Sequence, residues 1–296
     1  MITTRLRSRG LLLSAITLTL VGLLAAVQTV AAAGPATVGL GTAKPFAVLA
    51  GTPKVASTGP TVIRGNLGIS PAAAVTGFPP GIVHGTVHKA DAVALQAQSD
   101  LTAAYTDAAG RPVTATHGTL GGLTLAAGVY NAGGVVLDLT GTLTLDGQHD
   151  PSSVWIFQAT SALVTASSSK VKLINGASSC NVFWQVTSSA TLGSGSTFVG
   201  TIMALTSITI NSGVTVHGRA LARNGEVSLI NDRITSNRCF GSGAGSGGGA
   251  TPPNTDTLPP TDVPGTVPSP LLFVGIFVAA FVLVVRRRLL REDRPV

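Results

Sequence analysis

Charge is scarce in this chain. Asp, Glu, Lys and Arg make up 10% of its 296 residues, and aromatic residues only 4%. The acids are too thinly spread for paired-carboxylate chemistry. Asp91, Asp100 and Asp107 recur at intervals that do not keep one helix face, and Asp138, Glu226 and Asp232 are scattered. Asp146, His149 and Asp150 in DGQHD come nearest to a constellation, and they read as a polar corner. His84, His88, His117 and His217 have no carboxylate partner evident in sequence. No spacing of Cys and His suits a metal, and no basic run is interleaved with aromatics as a nucleic-acid surface requires. The expectation is a non-enzyme without cofactor or metal that does not bind nucleic acid. Cysteine is also rare, with two residues, Cys180 and Cys239. In an exported chain an even pair favours a disulfide, which here would close a loop of about 60 residues and contribute about 3–4 kcal/mol.

Export is expected from the N-terminal end. Residues 1–33 carry Arg5, Arg7 and Arg9, then an apolar run from Leu11 to Val27, then Ala31-Ala32-Ala33, the pattern of a signal peptide. Residues 241–269 are rich in Gly, Ser, Pro and Thr and read as a linker. Residues 270–296 hold an apolar run, Leu271 to Val285, followed by Arg286, Arg287, Arg288 and Arg291. This reads as a membrane anchor with a basic cytoplasmic tail, which places the body of the chain at the cell surface. Leu258-Pro259-Pro260-Thr261-Asp262 resembles the LPxTG sorting signal of sortase substrates, with Asp262 in place of Gly, so linkage to the cell wall is the alternative. The formal charge of +7 mostly reports these ends, because residues 34–240 carry eleven basic and eight acidic side chains.

Residues 34–240 are rich in Gly, Ala, Thr, Ser and Val, a mixture that favours short strands and tight corners. Four segments share one frame: LVTASSSKVKL (163–173), ATLGSGSTFVG (190–200), ITINSGVTVHG (208–218) and VSLINDRITSN (227–237). One column of small hydroxyl residues is Thr144, Thr165, Thr191, Thr209 and Ser228, and a second column is Lys170, Thr197, Thr215 and Arg233. The spacing from Thr191 to Thr209 to Ser228 is near 18–20 residues, the length of one coil of a three-sided β-solenoid. More apolar third strands lie at Val154–Phe157, Val182–Val186, Ile202–Leu205 and Ala220–Ala222, as expected of a covered side that also takes Trp155 and Trp184. Residues 90–109 lack Gly and Pro and carry Val93, Ala97, Leu101, Ala104 and Ala108 at helical spacing, with Gly110 as a left-handed cap. The helix is expected to cover the apolar side. Alternating strands lie both before and after it, so the coil order is expected to be discontinuous.

The runs FAVLAG, STGPTVIRGNLGISP, VTGFPPG and DAVALQAQSDLTAAYTDAAGR, then LGGLTLAAGVY, LTGTLTLDGQHDPSSVWIFQ, INGASSCNVFWQV, GSTFVGTIMALTSITI and GRALARNGEVSL, resemble the bacterial and fungal ice-binding family with the DUF3494 domain. The resemblance covers about residues 44–235. It implies a mainly β fold, a discontinuous triangular β-solenoid with one long helix alongside. It also implies adsorption to ice through a flat face marked by a loose Thr-Ala/Gly-x-Thr/Asn motif. Carried over residue by residue, that motif selects Thr58 and Thr61, Ser194 and Thr197, and Ser212 and Thr215. Lys170 and Arg233 interrupt the pattern. The other column, Thr144, Thr165, Thr191, Thr209 and Ser228, is the alternative face. The expected partner is an ice crystal surface, met by a monomer. A surface adhesin or glycan-binding module using the same face is the rival reading.

Overall fold

Short alternating stretches broken by Gly, Ser and Asn cannot make long strands. In the computed structural model, which describes residues 34–236, most strands run two to five residues and every pairing between them is parallel. The signal-like segment, the linker, the apolar C-terminal run and Cys239 lie outside the described residues. Among the described residues no cysteine is free, and no helix is long and apolar enough to cross a membrane.

The pairings build three faces. One is a seven-stranded sheet made by Leu137–Leu139, Leu163–Thr165, Ala190–Leu192, Ile208–Ile210, Val227–Ile230, Lys54–Thr58 and Ala74–Thr76. A second stacks Thr124–Leu125, Thr142–Asp146, Lys170–Ile174, the first halves of Thr197–Ala204 and Thr215–Ala222, Arg233–Thr235, Val62–Arg64 and Ile82–His84. The third stacks Gly128–Asn131, Trp155–Ala159, Val182–Val186, the second halves of the two long strands, Phe46–Ala50, Asn66–Ile69 and Val87–Lys89. Thr197–Ala204 and Thr215–Ala222 pass from the second face to the third by bending at Gly200 and Gly218, which are register partners. Their φ angles are 109° and 156°, and a Cβ on Gly218 would run into the carbonyl oxygen of Gly200, so only glycine lets these coils nest.

The coil order is discontinuous. Val48 pairs with Ala220 and Ile63 with Ile234, so the strands that precede the helix stack onto the last C-terminal coil. The helix α1, Ala92–Ala109, spans this junction. Asp91 caps it, accepting from the Ala94 N–H at 2.8 Å. The buried stripe is Ala94, Ala97, Gln98, Leu101, Ala104 and Ala108. Val93, expected in that stripe, is 47% exposed. Gly110 has φ −82° and is right-handed rather than left-handed, because its N–H continues the helix by bonding Thr106 O.

The side chains under the helix also differ from expectation. Leu101, Ala104 and Ala108 pack with Phe46, Leu49, Ile156, Phe183, Met203 and Leu221. Trp155 and Trp184 point the other way, into the solenoid. Strand alternation decides this: Ile156 and Phe183 are register partners facing the helix, so the residues beside them face inward. There Phe157 stacks on Trp184 with ring centres 4.1 Å apart, and Phe198 and Tyr130 extend the ladder. Both indoles are satisfied, with Trp155 Nε1 donating to Leu125 O and Trp184 Nε1 to Val199 O. Gln98 Nε2 donates to Ala50 O at 2.8 Å and to Ala222 O at 3.1 Å, tying the helix to both sides of the junction.

Candidate functional site

With the third face under the helix, two faces remain to meet a partner. On the seven-stranded sheet the inward positions are mostly Leu, Val, Ile and Ala, and most outward ones are small, with Ile230 exposed at the end of its strand. Register places Asp138, Val164, Thr191, Thr209, Ser228, Ala56 and Thr76 in one unbroken row across all seven strands. Six steps of about 4.8 Å make this row roughly 29 Å long, with outward neighbours about 6.7 Å away along each strand. The residues flanking its centre are Ser189, Ser207, Gly193 and Asn211. Charge enters only toward the margins, with Asp138 at one end and Glu226 and Lys54 along one edge. Glu226 accepts a hydrogen bond from Ser228 Oγ at 3.2 Å. We call this the hydroxyl face.

The remaining face has another character. Its first outward row is Thr142, Lys170, Thr197, Thr215, Arg233, Val62 and Ile82. Its second runs Thr124, Thr144, Lys172, Val199, His217, Thr235, Arg64 and His84, but Val199 and Thr235 are buried, so this row is open only toward its two ends. Four cationic side chains project here, and we call it the basic face.

The residues singled out from sequence therefore do not share one plane. Thr197 and Thr215 lie side by side on the basic face, and Lys170 and Arg233 flank them in register. Ser194 and Ser212 are exposed in the corner turns between the two open faces, stacked through the Gly195 N–H and Ser212 O at 2.9 Å. Thr58 ends a strand of the hydroxyl face opposite Ile230. Thr61 is 0% exposed and accepts from Ser57 Oγ and from the Asp232 N–H. The cause is common to all three motifs: each contains a glycine of positive φ, Gly59 at 77°, Gly195 at 68° and Gly213 at 75°, which turns the corner between its two hydroxyl residues.

The alternative column needs two corrections. Thr191, Thr209 and Ser228 stand in the hydroxyl row, but Thr165 is 3% exposed. Its Oγ1 accepts from the Gly193 N–H at 2.9 Å, and Val164 takes its place outside. Thr144 belongs to the basic face, in register with Lys172. The spacing missed Val164, Ala56 and Thr76. Val164 and Ala56 lack a hydroxyl, and Ala56 and Thr76 come from strands that precede the helix.

Beneath the corner runs a buried rung of Thr61, Ser169, Ser196, Val214 and Asp232. Asp232 accepts from the Val214 N–H at 2.9 Å and the Ile230 N–H at 2.7 Å, and burial pushes its carboxyl up to about 7. It closes a turn that is one residue shorter than its neighbours. The remaining polar groups are similarly engaged. Asp146 accepts from the Gln148 N–H and Asn175 Nδ2, and Asp150 from Ser152, which holds both carboxyls below their usual range and uses them in loop structure. His88 has a partner that the sequence reading did not assign, Asp91 at 2.8 Å. Among the described residues no group of three or more His, Cys, Asp or Glu could hold a metal. In the cleft beside the DGQHD loop the Ser152 Oγ donates to Asp150 Oδ1 at 2.6 Å, and the same carboxylate oxygen also accepts from the Ser152 N–H, the pattern of a local turn.

A family model described as ice-binding-like matches residues 48–235. An ice-binding protein of Nostoc sp. (strain HG1) is 48% identical over 206 residues, which cover 68% of this chain and 74% of that protein. An ice-binding protein of Colwellia sp is 36% identical over 215 residues, covering 66% of this chain and 82% of that one. Among solved structures, an ice-binding protein from an Antarctic biological consortium superposes with a TM-score of 0.67 at 45% identity, covering 68% of this chain and 92% of its own. One from the Antarctic ascomycete Antarctomyces psychrotrophicus gives a TM-score of 0.65 at 40% identity, covering 68% and 99%.

Proposed function

Because this chain belongs to the ice-binding-like family, we propose that it adsorbs to ice through the hydroxyl face. The observation that carries this choice of face is the in-register row from Val164 through Thr191, Thr209, Ser228 and Ala56 to Thr76, which has no charged member. A crystal surface is a periodic partner without pockets. It rewards many weak contacts held simultaneously, and those require a rigid, flat array. Parallel coils set the period, the buried aromatic ladder and the helix keep the coils from flexing, and hydroxyls beside methyls hold and order water at the contact. The basic face serves less well, since ammonium and guanidinium groups are strongly hydrated and project on long flexible stems.

Bound molecules pin a growing ice front, so inhibition of recrystallisation follows from adsorption. The apolar run and arginine-rich tail beyond the linker support display at the cell surface, where the same adsorption would act at the envelope. The function is tested by growing an ice hemisphere slowly in a solution of the 34–240 segment. Incorporation of protein into the ice is expected. Exclusion from the ice, together with normal recrystallisation at micromolar protein, would overturn the reading.

A further inference from the structure

The basic face is separate from the face assigned to ice, and its chemistry differs. Lys170, Lys172, Arg64 and Arg233 are all exposed, and none forms an ion pair among the described residues. They are distant in sequence and are gathered by register, Lys170 to Thr197 to Thr215 to Arg233, and Arg233 to Val62 on the strand that carries Arg64. Lys170 and Lys172 project from the same side of one strand about 6.7 Å apart. Arg233 and Arg64 sit diagonally on adjacent strands about 8 Å apart, and three strand steps, about 14 Å, separate the two pairs. The nearest carboxylates do not neutralise them. Asp232, next to Arg233 in sequence, points inward and is 3% exposed. Asp146 sits diagonally from Lys172 on the adjacent strand, but its carboxylate is bonded to the Gln148 N–H and Asn175 Nδ2 and forms no ion pair with the lysine. Between and beside the cations stand the hydroxyls of Thr124, Thr142, Thr144, Thr197 and Thr215.

We propose that this face binds an extended carboxylated polysaccharide, so that the domain has one side for ice and another for an anionic glycan. Cationic pairs at fixed spacing, joined along the first row by the hydroxyls of Thr197 and Thr215, complement a polymer that repeats carboxylates among hydroxyls. The face has no Phe, Tyr or Trp at its outward positions on which bases could stack, which argues against single-stranded nucleic acid. Each exposed ion contact contributes little, so affinity comes from several made together and is screened by salt.

The test uses the full chain in a non-ionic detergent and immobilised alginate. Retention is expected at about 20 mM NaCl, with release by about 0.5 M NaCl. Neutral dextran, duplex DNA and vesicles of anionic phospholipid serve as competitors. The double variants K170Q/K172Q and R64Q/R233Q are each expected to weaken alginate binding at least tenfold. The control K89Q, at the exposed end of the third-face strand Val87–Lys89, should leave it unchanged, and all variants should keep the wild-type melting temperature and ice incorporation. No retention of the wild type, or equal retention of the two double variants and the wild type, overturns the proposal. Competition by DNA or anionic vesicles as strong as that by free alginate overturns the assignment to polysaccharide. Loss of ice incorporation in either double variant overturns the division between faces.

Discussion

Thr209 stands near the centre of the hydroxyl face, between Thr191 and Ser228 in register, and replacing it with Tyr tests the choice of face directly. Side chains of a sheet stand nearly perpendicular to it, so the phenol would project well beyond the neighbouring Thr and Ser. The nearest outward positions lie only about 4.8 Å away across strands and about 6.7 Å along them, so one ring prevents a flat lattice from touching most of the array. The expected loss is the cooperative contact, at least a tenfold fall in ice affinity, or about 1.4 kcal/mol. Thr209→Ala removes one hydroxyl and should cost about 1 kcal/mol or less. Neither change touches the core, and Tyr is favourable in strands, so stability should move by about 0.5 kcal/mol at most. Uptake into a growing ice hemisphere, scored beside thermal melting, reads both quantities. Thr215→Tyr on the basic face is the matched control. Normal uptake of Thr209→Tyr with loss of uptake in Thr215→Tyr would refute the reasoning and move the site across the corner.

Asp232 should make stability depend on pH. Burial raises its pKa from 3.8 to about 7, so the native state holds the proton more tightly; the resulting stability is complete below about pH 4 and is lost as pH rises through 7. Melting temperature should fall over that interval, by an amount equivalent to at most about 4 kcal/mol, and Asp232→Asn should flatten the curve. Gln98→Leu removes the side-chain donor shared by the Ala50 and Ala222 carbonyls at the coil junction, while Ala50 O keeps the Ser70 N–H, and urea denaturation should show a loss of about 1 kcal/mol. Trp184→Ala empties the centre of the aromatic ladder and should cost about 3–5 kcal/mol, whereas a Trp lying under the helix would chiefly loosen α1; amide exchange of α1 distinguishes the two. Cys180 and Cys239 should gain mass under alkylation only after reduction, as a bridge between them requires.

The amino-acid sequence by itself determined the coil length, the interruption by one helix, the discontinuous order and the family, because these follow from local pattern and from long runs of matching residues. The column Lys170, Thr197, Thr215, Arg233 was also legible, since each strand begins straight after its corner turn and the turn holds it in register. What the sequence left open was parity. A strand alternates with period two, so a slip of one residue exchanges outside for inside. Thr165 looked like the next member of its column and is buried, while Val164 faces out; the tryptophans looked like the helix contact and face the interior. Side-chain chemistry alone does not choose between these, because a buried Thr is satisfied by the Gly193 N–H and an indole by a carbonyl of the neighbouring coil. Only the tertiary structure decided which coils meet. Stacking the N-terminal strands on the C-terminal coil extends the hydroxyl row through Ala56 to Thr76 and brings Arg64 beside Arg233. These extensions of both surfaces arise from pairings between distant segments, and local pattern carries no record of those.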